Sequence, residues 1–202
     1  MSGSIQIIKA SPSSIIGGQL NAMALGTMAH TIVGSTNQTV IEETMGALWQ
    51  QKNNRFSHEF AYEAKQGKKT LGILTCYPTP VLDSLGLPTA KQILSIRRME
   101  MIVYAVKNIR SIYGIMTMEE GKKDEFHIGS IAMLPESRGL GIGKLLLAKA
   151  EELAKEQSCT KISLTVREDN PKARQLYERV GYQVAGKIKK GSFSLDRMVK
   201  QL

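Results

Sequence analysis

The feature that most constrains the fold is a glycine-rich turn between an apolar strand and an amphipathic helix. Residues 125–133 alternate as a strand that ends before Pro135, and residues 139–157 carry apolar residues at helical spacing. The turn between them reads Arg138-Gly139-Leu140-Gly141-Ile142-Gly143-Lys144. A strand that passes directly into a helix indicates an α/β fold.

The turn also has the chemistry of a phosphate site. Glycines leave backbone N–H groups accessible at a helix start, where the helix dipole favours an anion. Arg138 and Lys144 add positive charge. A dinucleotide fingerprint would need glycine at Lys144, and a Walker A loop would need glycine at Arg138 and Ser or Thr at Leu145. Both nucleotide motifs are excluded, and a flexible turn without a ligand is the structural alternative.

The rest of the chain predicts one α/β domain over residues 1–202. The predicted strands are a short first strand at Ile5–Ile8, a hairpin near 60–65 and 71–77, a strand at 160–167, and a final pair at 182–188 and 192–199. The predicted helices cover 13–33 and 37–51, and a further helix starts with Asn170 as N-cap and ends at Gly181. Residues 78–113 begin with three prolines and continue in a long helical pattern, which predicts a helical insertion between the third and fourth strands.

The net charge of +9 indicates an anionic partner. It arises from 27 basic and 18 acidic residues, and residues 138–202 hold +7 of it. Composition does not choose among nucleic acid, membrane and a phosphate-bearing small molecule. Aromatic residues make up 5% of the chain, which leaves few platforms for stacking bases.

We expect a cytoplasmic protein. The first nine residues lack the pattern of a signal peptide. Residues 10–41 contain no charged side chain but are too polar for a membrane span. Cys76 and Cys159 are expected to be reduced, and two cysteines alone make neither a disulfide scaffold nor a zinc site.

Three segments together resemble the GNAT superfamily of N-acetyltransferases, most specifically over residues 126–182. They are Ile131-Ala132-Met133-Leu134-Pro135, Arg138-x-x-Gly141-x-Gly143, and Asn170-x-x-Ala173-x-x-Leu176-Tyr177-x-x-x-Gly181-Tyr182. The resemblance implies a GNAT-like fold with a mixed central sheet, and an enzyme that uses acetyl-CoA and no metal. It also implies that acetyl-CoA lies in a V-shaped gap between the strands at 125–133 and 160–167.

The resemblance assigns the binding residues. Backbone groups of residues 131–133 pair with the pantetheine arm, residues 138–144 hold the pyrophosphate, and residues of the following helix lie along the cofactor. The implied set is Ile131, Ala132, Met133, Arg138, Gly139, Leu140, Gly141, Ile142, Gly143, Lys144, Asn170, Ala173 and Tyr177.

The resemblance also implies the proton transfers. Tyr177 is the expected acid that protonates the leaving thiolate, and His127 is the expected base that takes a proton from the amine. Where other members carry an acidic or histidine side chain, this chain has Gly129. Glu125 acting through water, or solvent alone, stays open as the base.

The acceptor is not specified by these motifs. A small amine is the first expectation and a protein amino terminus the second, while homodimer formation stays open. A polyamine would need an acidic pocket, and the acids available for one include Glu42, Glu43, Glu59, Glu63, Glu119 and Glu120. The alternative functions are a GNAT-fold protein that binds acyl-CoA without turnover and, from charge alone, a nucleic-acid-binding protein. We expect neither nucleic acid nor membrane as a partner.

Overall fold

The strands form one mixed sheet in a computed structural model that describes residues 4–191 and 193–202. They are β1 (Ile5–Lys9), β2 (Ala61–Gln66), β3 (Lys69–Pro78), β4 (Glu125–Met133), β5 (Lys161–Arg167), β6 (Gln183–Lys190) and β7 (Phe193–Gln201), in the order β1-β2-β3-β4-β5-β7-β6. Neighbours are antiparallel except β4 and β5, which are parallel. The predicted mixed α/β class is confirmed. Residues 1–3, part of the segment judged not to be a signal peptide, and Ser192, where the last strand was predicted to begin, lie outside the described residues.

Helices cover the sheet and fill the long connections. They are α1 (Ile16–Leu25), α2 (Met28–Val33), α3 (Gln38–Gln50), α4 (Thr79–Lys107), α5 (Ile109–Met116), α6 (Ile142–Glu156) and α7 (Pro171–Arg179). Short 3₁₀ turns lie at His58–Phe60 and Pro135–Ser137. None of the helices in the described parts of the chain is long and apolar enough to cross a membrane.

The single helix predicted over residues 13–33 is wrong, because the chain breaks into α1 and α2 at Gly26. This glycine has φ +56°, a value that side-chain-bearing residues rarely adopt. A Cβ there would also collide with the Arg167 guanidinium, which donates a hydrogen bond of 3.2 Å to the carbonyl of Leu25. The break therefore allows Arg167 of β5 to contact the C-terminal end of α1.

The predicted helical insertion between β3 and β4 is confirmed as α4 and α5. Its start differs from the expectation, since α4 begins at Thr79, directly after Pro78, and contains both Pro80 and Pro88. Pro80 lies in the first turn, where a missing N–H costs no helical hydrogen bond. The helix bends sharply at Arg98, whose φ is 53°.

Two of the hydrophobic clusters among the described residues show how these layers are held together. On one face of the sheet, Leu146 and Ala150 of α6 pack in a cluster with Leu74, Ile128 and Leu164 of the central strands. A second cluster joins α2, α3 and the first half of α4 through Val33, Ile41, Leu48 and Ile93. Full burial of each such leucine contributes about 2 kcal/mol. The second cluster holds the insertion against the helices that lie between β1 and β2.

The sheet opens between its two parallel strands. β4 and β5 pair from Glu125 opposite Lys161 to Ile128 opposite Leu164. From Ser130 to Met133, β4 pairs with β3 alone among the described strands. The β5-facing edge of β4 therefore has free backbone groups in its second half, as expected for the predicted V-shaped gap.

Candidate functional site

The gap between β4 and β5 is a cavity of about 400 Å³, called here the β4–β5 cleft. Its walls come from the second halves of both strands, the start of α7, the α1–α2 segment and the turn before β4. The lining residues are Met23, Ala24, Leu25, Met28, Ile32, Arg55, Ile115, Met118, Glu120, Ile128, Gly129, Ser130, Ile131, Ala132, Met133, Arg138, Leu164, Thr165, Val166, Arg167, Asn170, Lys172, Ala173, Leu176, Tyr177 and Leu195.

Most of the predicted binding residues meet in this cleft. Seven of them line it, namely Ile131, Ala132, Met133, Arg138, Asn170, Ala173 and Tyr177. The other six, residues 139–144, are not among the described lining residues and continue the chain from Arg138 into α6. Strand, turn and helix thus bring together positions that the sequence separates by up to 46 residues.

The glycine turn presents unused donors. None of the hydrogen bonds among the described residues uses the backbone N–H of residues 139–142 as donor. Gly139 and Gly141 have φ of +84° and +74°, so both positions favour glycine. At Gly143 a Cβ would lie 2.9 Å from Leu176 Cδ2, so this glycine allows close packing of α6 on α7. The free N–H groups at the start of a helix fit an anion such as a pyrophosphate.

The start of α7 has the cap that the sequence predicts. Asn170 Oδ1 accepts a hydrogen bond of 3.2 Å from the Ala173 N–H, and Pro171 is the first helical residue. Gly181, two residues beyond the helix, has φ +99°. The capping role of Asn170 is confirmed, while its contact with a ligand stays a prediction.

Tyr177 lies on the buried face of α7 with its ring in the wall of the cleft. It is 6% exposed, and none of the described residues hydrogen-bonds its hydroxyl. Burial raises the pKa of Tyr177 well above the usual tyrosine range. The phenol therefore keeps its proton at neutral pH, as a proton donor to the cleft must.

His127, the predicted base, is buried on β4 behind the cleft and is not among the described residues that line it. Its Nδ1 lies 3.1 Å from Ser163 Oγ, and its ring stacks on Tyr77 with the centroids 6.5 Å apart. Its Nε2 lies 3.6 Å from Oε2 of Glu120 and has no hydrogen-bond partner among the described residues. The imidazole can thus reach the cleft only through Glu120 or a water.

Glu120 and Arg55 form a buried ion pair in the cleft wall. An Nη atom of Arg55 lies 2.7 Å from Oε1 of Glu120, and both residues line the cleft. Burial disfavours the ionised carboxyl, but Arg55 and His127 outweigh it and lower the pKa of Glu120 to about 2. Glu120 is therefore ionised at neutral pH, and its charge is paired with Arg55 in the wall of the cleft.

Sequence reasoning missed the importance of this pair. Glu120 stood among six candidate acids, and it is the one of those six that lines the cleft. Arg55 follows the end of α3 in a loop and belongs to no motif. The two residues lie 65 positions apart, so no local signal could have paired them.

The glycine at position 129 is explained by Tyr77 on the neighbouring strand. A Cβ at Gly129 would lie 2.2 Å from the Tyr77 hydroxyl oxygen. Burial raises the pKa of Tyr77 to about 12, although the nearby Arg55 guanidinium opposes the shift. A neutral phenol from β3 thus occupies the space that a side chain on β4 would need.

Glu125, the alternative base, lies at the opposite end of β4. Arg197 is ion-paired with its carboxylate, and the Lys122 N–H donates to Oε2 at 2.9 Å. It lines a separate depression of about 460 Å³ where β4 and β5 begin. Four residues of strand, about 13 Å, separate it from Gly129 in the cleft. This position disfavours Glu125 as a group that meets a ligand in the cleft.

The residues that the structure describes contain no group of three or more His, Cys, Asp or Glu side chains able to hold a metal ion.

Comparison with known sequences gives a family and several curated relatives, of which two are described here. Residues 35–182 match the family model described as the Acetyltransferase (GNAT) family. A Haemophilus influenzae ribosomal-protein-bS18 alanine N-acetyltransferase is 46% identical over 59 residues, which is 29% of this chain and 40% of that protein. A Bacillus subtilis (strain 168) protein provisionally given the same activity is 41% identical over 63 residues, which is 31% of this chain and 42% of that protein. The matches thus span less than half of the length of these curated relatives.

Comparison with solved structures supports the same fold. The crystal structure of an N-acetyltransferase from Staphylococcus aureus Mu50 superposes with a TM-score of 0.68 and 19% identity. The superposition covers 96% of this chain and 99% of that one.

Proposed function

Since the chain belongs to the GNAT acetyltransferase family, we propose that it transfers the acetyl group of acetyl-CoA to a primary amine. One observation carries the proposal: a single cavity is lined by the unpaired edge of β4, by the capped start of α7 with Tyr177, and by the carboxylate of Glu120. A small amine is the preferred acceptor.

The binding of acetyl-CoA is supported by the free backbone groups. The unpaired edge of β4 at Ile131–Met133 is suited to pair with the extended pantetheine arm of acetyl-CoA as if the arm were an added strand, the geometry of β-augmentation. The N–H groups of residues 139–142 and the cation of Arg138 are suited to the pyrophosphate. The cleft and the glycine turn that follows it thus offer one type of contact for the pantetheine arm and another for the pyrophosphate.

The transfer needs one proton removed and one proton supplied. Acetyl-CoA, when bound, supplies a thioester whose carbonyl carbon forms a bond to the amine nitrogen as its bond to sulfur breaks. Tyr177, kept protonated by burial, donates a proton to the departing sulfur. A backbone N–H on the free edge of β4 donates to the carbonyl oxygen as negative charge develops there.

Glu120 receives the acceptor. Its negative charge attracts the ammonium form of the amine to the cleft wall. The amine must lose a proton before it can attack, and His127 lies 3.6 Å behind Glu120 with an unused ring nitrogen. A proton leaving the amine therefore has a path through Glu120, or through a water beside it, to the imidazole.

A protein amino group is the second candidate acceptor. The curated relatives carry names that specify an alanine of ribosomal protein bS18. This route needs the same cleft and the same proton transfers, so only the acceptor distinguishes it from the first.

Two measurements test the proposal in sequence. Isothermal titration measures whether the full chain binds acetyl-CoA, and an assay for the free CoA thiol then measures turnover with a panel of amines and peptides. We expect binding and amine-dependent thiol release. Binding without release by any acceptor would favour the non-catalytic acyl-CoA-binding alternative, and failure to bind acetyl-CoA would overturn the proposal.

A further inference from the structure

A second cavity, called here the insertion pocket, adjoins the β4–β5 cleft. It has a volume of about 340 Å³ and lies between the insertion helices and the α2 region. Five residues line both cavities, namely Ile32, Arg55, Ile115, Met118 and Glu120. The ion pair of Glu120 and Arg55 thus stands in the shared wall, with the expected reaction centre on one side and the insertion pocket on the other.

The walls of the insertion pocket are predominantly apolar. Phe56, Leu82 and Ile93 are 2%, 7% and 5% exposed and line it from the loop after α3 and from α4. Ile112 and Met116 of α5 line it as well. A ligand that fills this space must cover these side chains with an apolar body, because unpaired polar groups would lose their hydration there.

Few charges face the pocket. Asp83 is exposed, and Arg55 and Glu120 already neutralise each other in part. The other five acids proposed for a polyamine site are not among its described lining residues. The pocket therefore has two carboxylates, the buried Glu120 and the exposed Asp83. A polyamine, with its chain of ammonium groups, would require a row of carboxylates.

We infer that the acceptor is a primary amine attached to an apolar alkyl or aryl body. Its ammonium lies at Glu120, where the two cavities meet, and its apolar body fills the insertion pocket against Phe56 and Ile93. This inference rests on the proposed acetyl transfer. The same chemistry could come from a free amine or from a peptide whose first residue has a large apolar side chain.

An amine panel tests the substrate class. The probes are phenethylamine and heptylamine as apolar monoamines, spermidine as a polyamine, and two tetrapeptide amides that begin with Phe or with Ser. We expect kcat/KM for the apolar monoamines or the Phe peptide to exceed that for spermidine and the Ser peptide by about 10-fold or more. The two apolar probe types distinguish a free amine from a peptide terminus.

A pair of matched variants tests the place of binding. Ala90 is exposed on α4 and lines the insertion pocket, so Ala90→Phe fills the pocket without removing a core side chain. Leu94, one turn later on α4, is 43% exposed and is not among the described lining residues, so Leu94→Phe is the control. We expect Ala90→Phe to raise KM for the best apolar acceptor about 10-fold, with KM for acetyl-CoA unchanged in both variants.

The outcomes separate this inference from the proposed function. A preference for spermidine or the Ser peptide, or equal KM in the two variants, would overturn the inference while leaving acetyl transfer intact. Acetyl-CoA binding without turnover of any apolar probe would also overturn it. Failure to bind acetyl-CoA would overturn the proposed function itself.

Discussion

The Nε2 atom of His127 lies 3.6 Å from Oε2 of Glu120, and only the carboxylate of this pair lines the β4–β5 cleft. The histidine is fully buried and contacts Ser163 on its other side. In the proposed mechanism an incoming amine therefore meets Glu120 first, and His127 would act from behind it as a positioning residue or as the group that receives the proton.

Replacing Glu120 by Gln should lower kcat/KM for the amine by about 100-fold, because the ammonium loses its anchor and Arg55 is left as an unpaired buried charge. Glu119→Gln is the matched control, since Glu119 is the exposed neighbour and does not line the cleft. Steady-state assays of thiol release measure both variants. Equal losses in the two variants would show that overall charge, and not the position of Glu120, matters.

The Glu120–Arg55 pair should also make stability depend on acid pH. The pKa of Glu120 is lowered from 4.5 to about 2 in the folded state, so the unfolded chain binds more protons between these values. The contribution to the free energy of unfolding is therefore fully present above about pH 4.5 and is lost as pH falls towards 2. Urea unfolding of the wild type and Glu120→Gln over this range should give a stability difference that shrinks with falling pH. A constant difference would contradict the assigned ionisation.

Replacing Tyr177 by Phe should lower kcat by about 10-fold or more, with little change in the Kd of acetyl-CoA, because the acid for the thiolate is removed. Tyr182→Phe is the control: its ring lies 6.1 Å from that of Tyr177, but it is not among the described residues of the cleft. Turnover and titration together separate chemistry from binding. Unchanged kcat in Tyr177→Phe would remove this residue from the mechanism.

Replacing Gly141 by Ala should raise the Kd of acetyl-CoA by about 10-fold, since straining the turn would misplace the N–H groups that we propose bind the pyrophosphate. Gly67→Ala is the control, because it introduces the same type of backbone strain in the turn between β2 and β3, away from the proposed pyrophosphate site. Both glycines have positive φ, +74° and +59°, and a Cβ at either would meet nothing within 4 Å. Calorimetric titration should detect a change in Gly141→Ala alone. A similar loss in both variants would indicate general destabilisation instead.

Replacing His127 by Ala should lower kcat and alter the acidic limb of the pH–rate profile, because the imidazole is expected to take the proton that leaves the amine. Ser163→Ala removes only the hydroxyl beside Nδ1, so it should change kcat less and keep the limb. Kinetics between pH 5 and 9 measure both effects. A profile that keeps its limb in His127→Ala would remove His127 as the base.

Local features of the sequence predicted much of the site. The bounds of β4, the cap of α7 by Asn170 and the insertion between β3 and β4 all follow from residues close together in the chain. The glycine turn was equally predictable, since glycines at a strand–helix junction are a local signal of a phosphate site. The break at Gly26 was missed, because the arginine that fills the space beside it comes from β5.

By itself, the sequence determined the family and the segments suited to acetyl-CoA, because these depend on short motifs, and the resemblance to that family implied the gap beside β4. Only the tertiary structure decided which of the candidate acids lines the cleft. Glu120 is a buried anion because Arg55, 65 residues earlier in the chain, forms an ion pair with it. His127 is not among the described residues of the cleft, because it packs between Tyr77 and Ser163. Charge, burial and access are properties of neighbours in space, and these neighbours lie on separate elements of the chain.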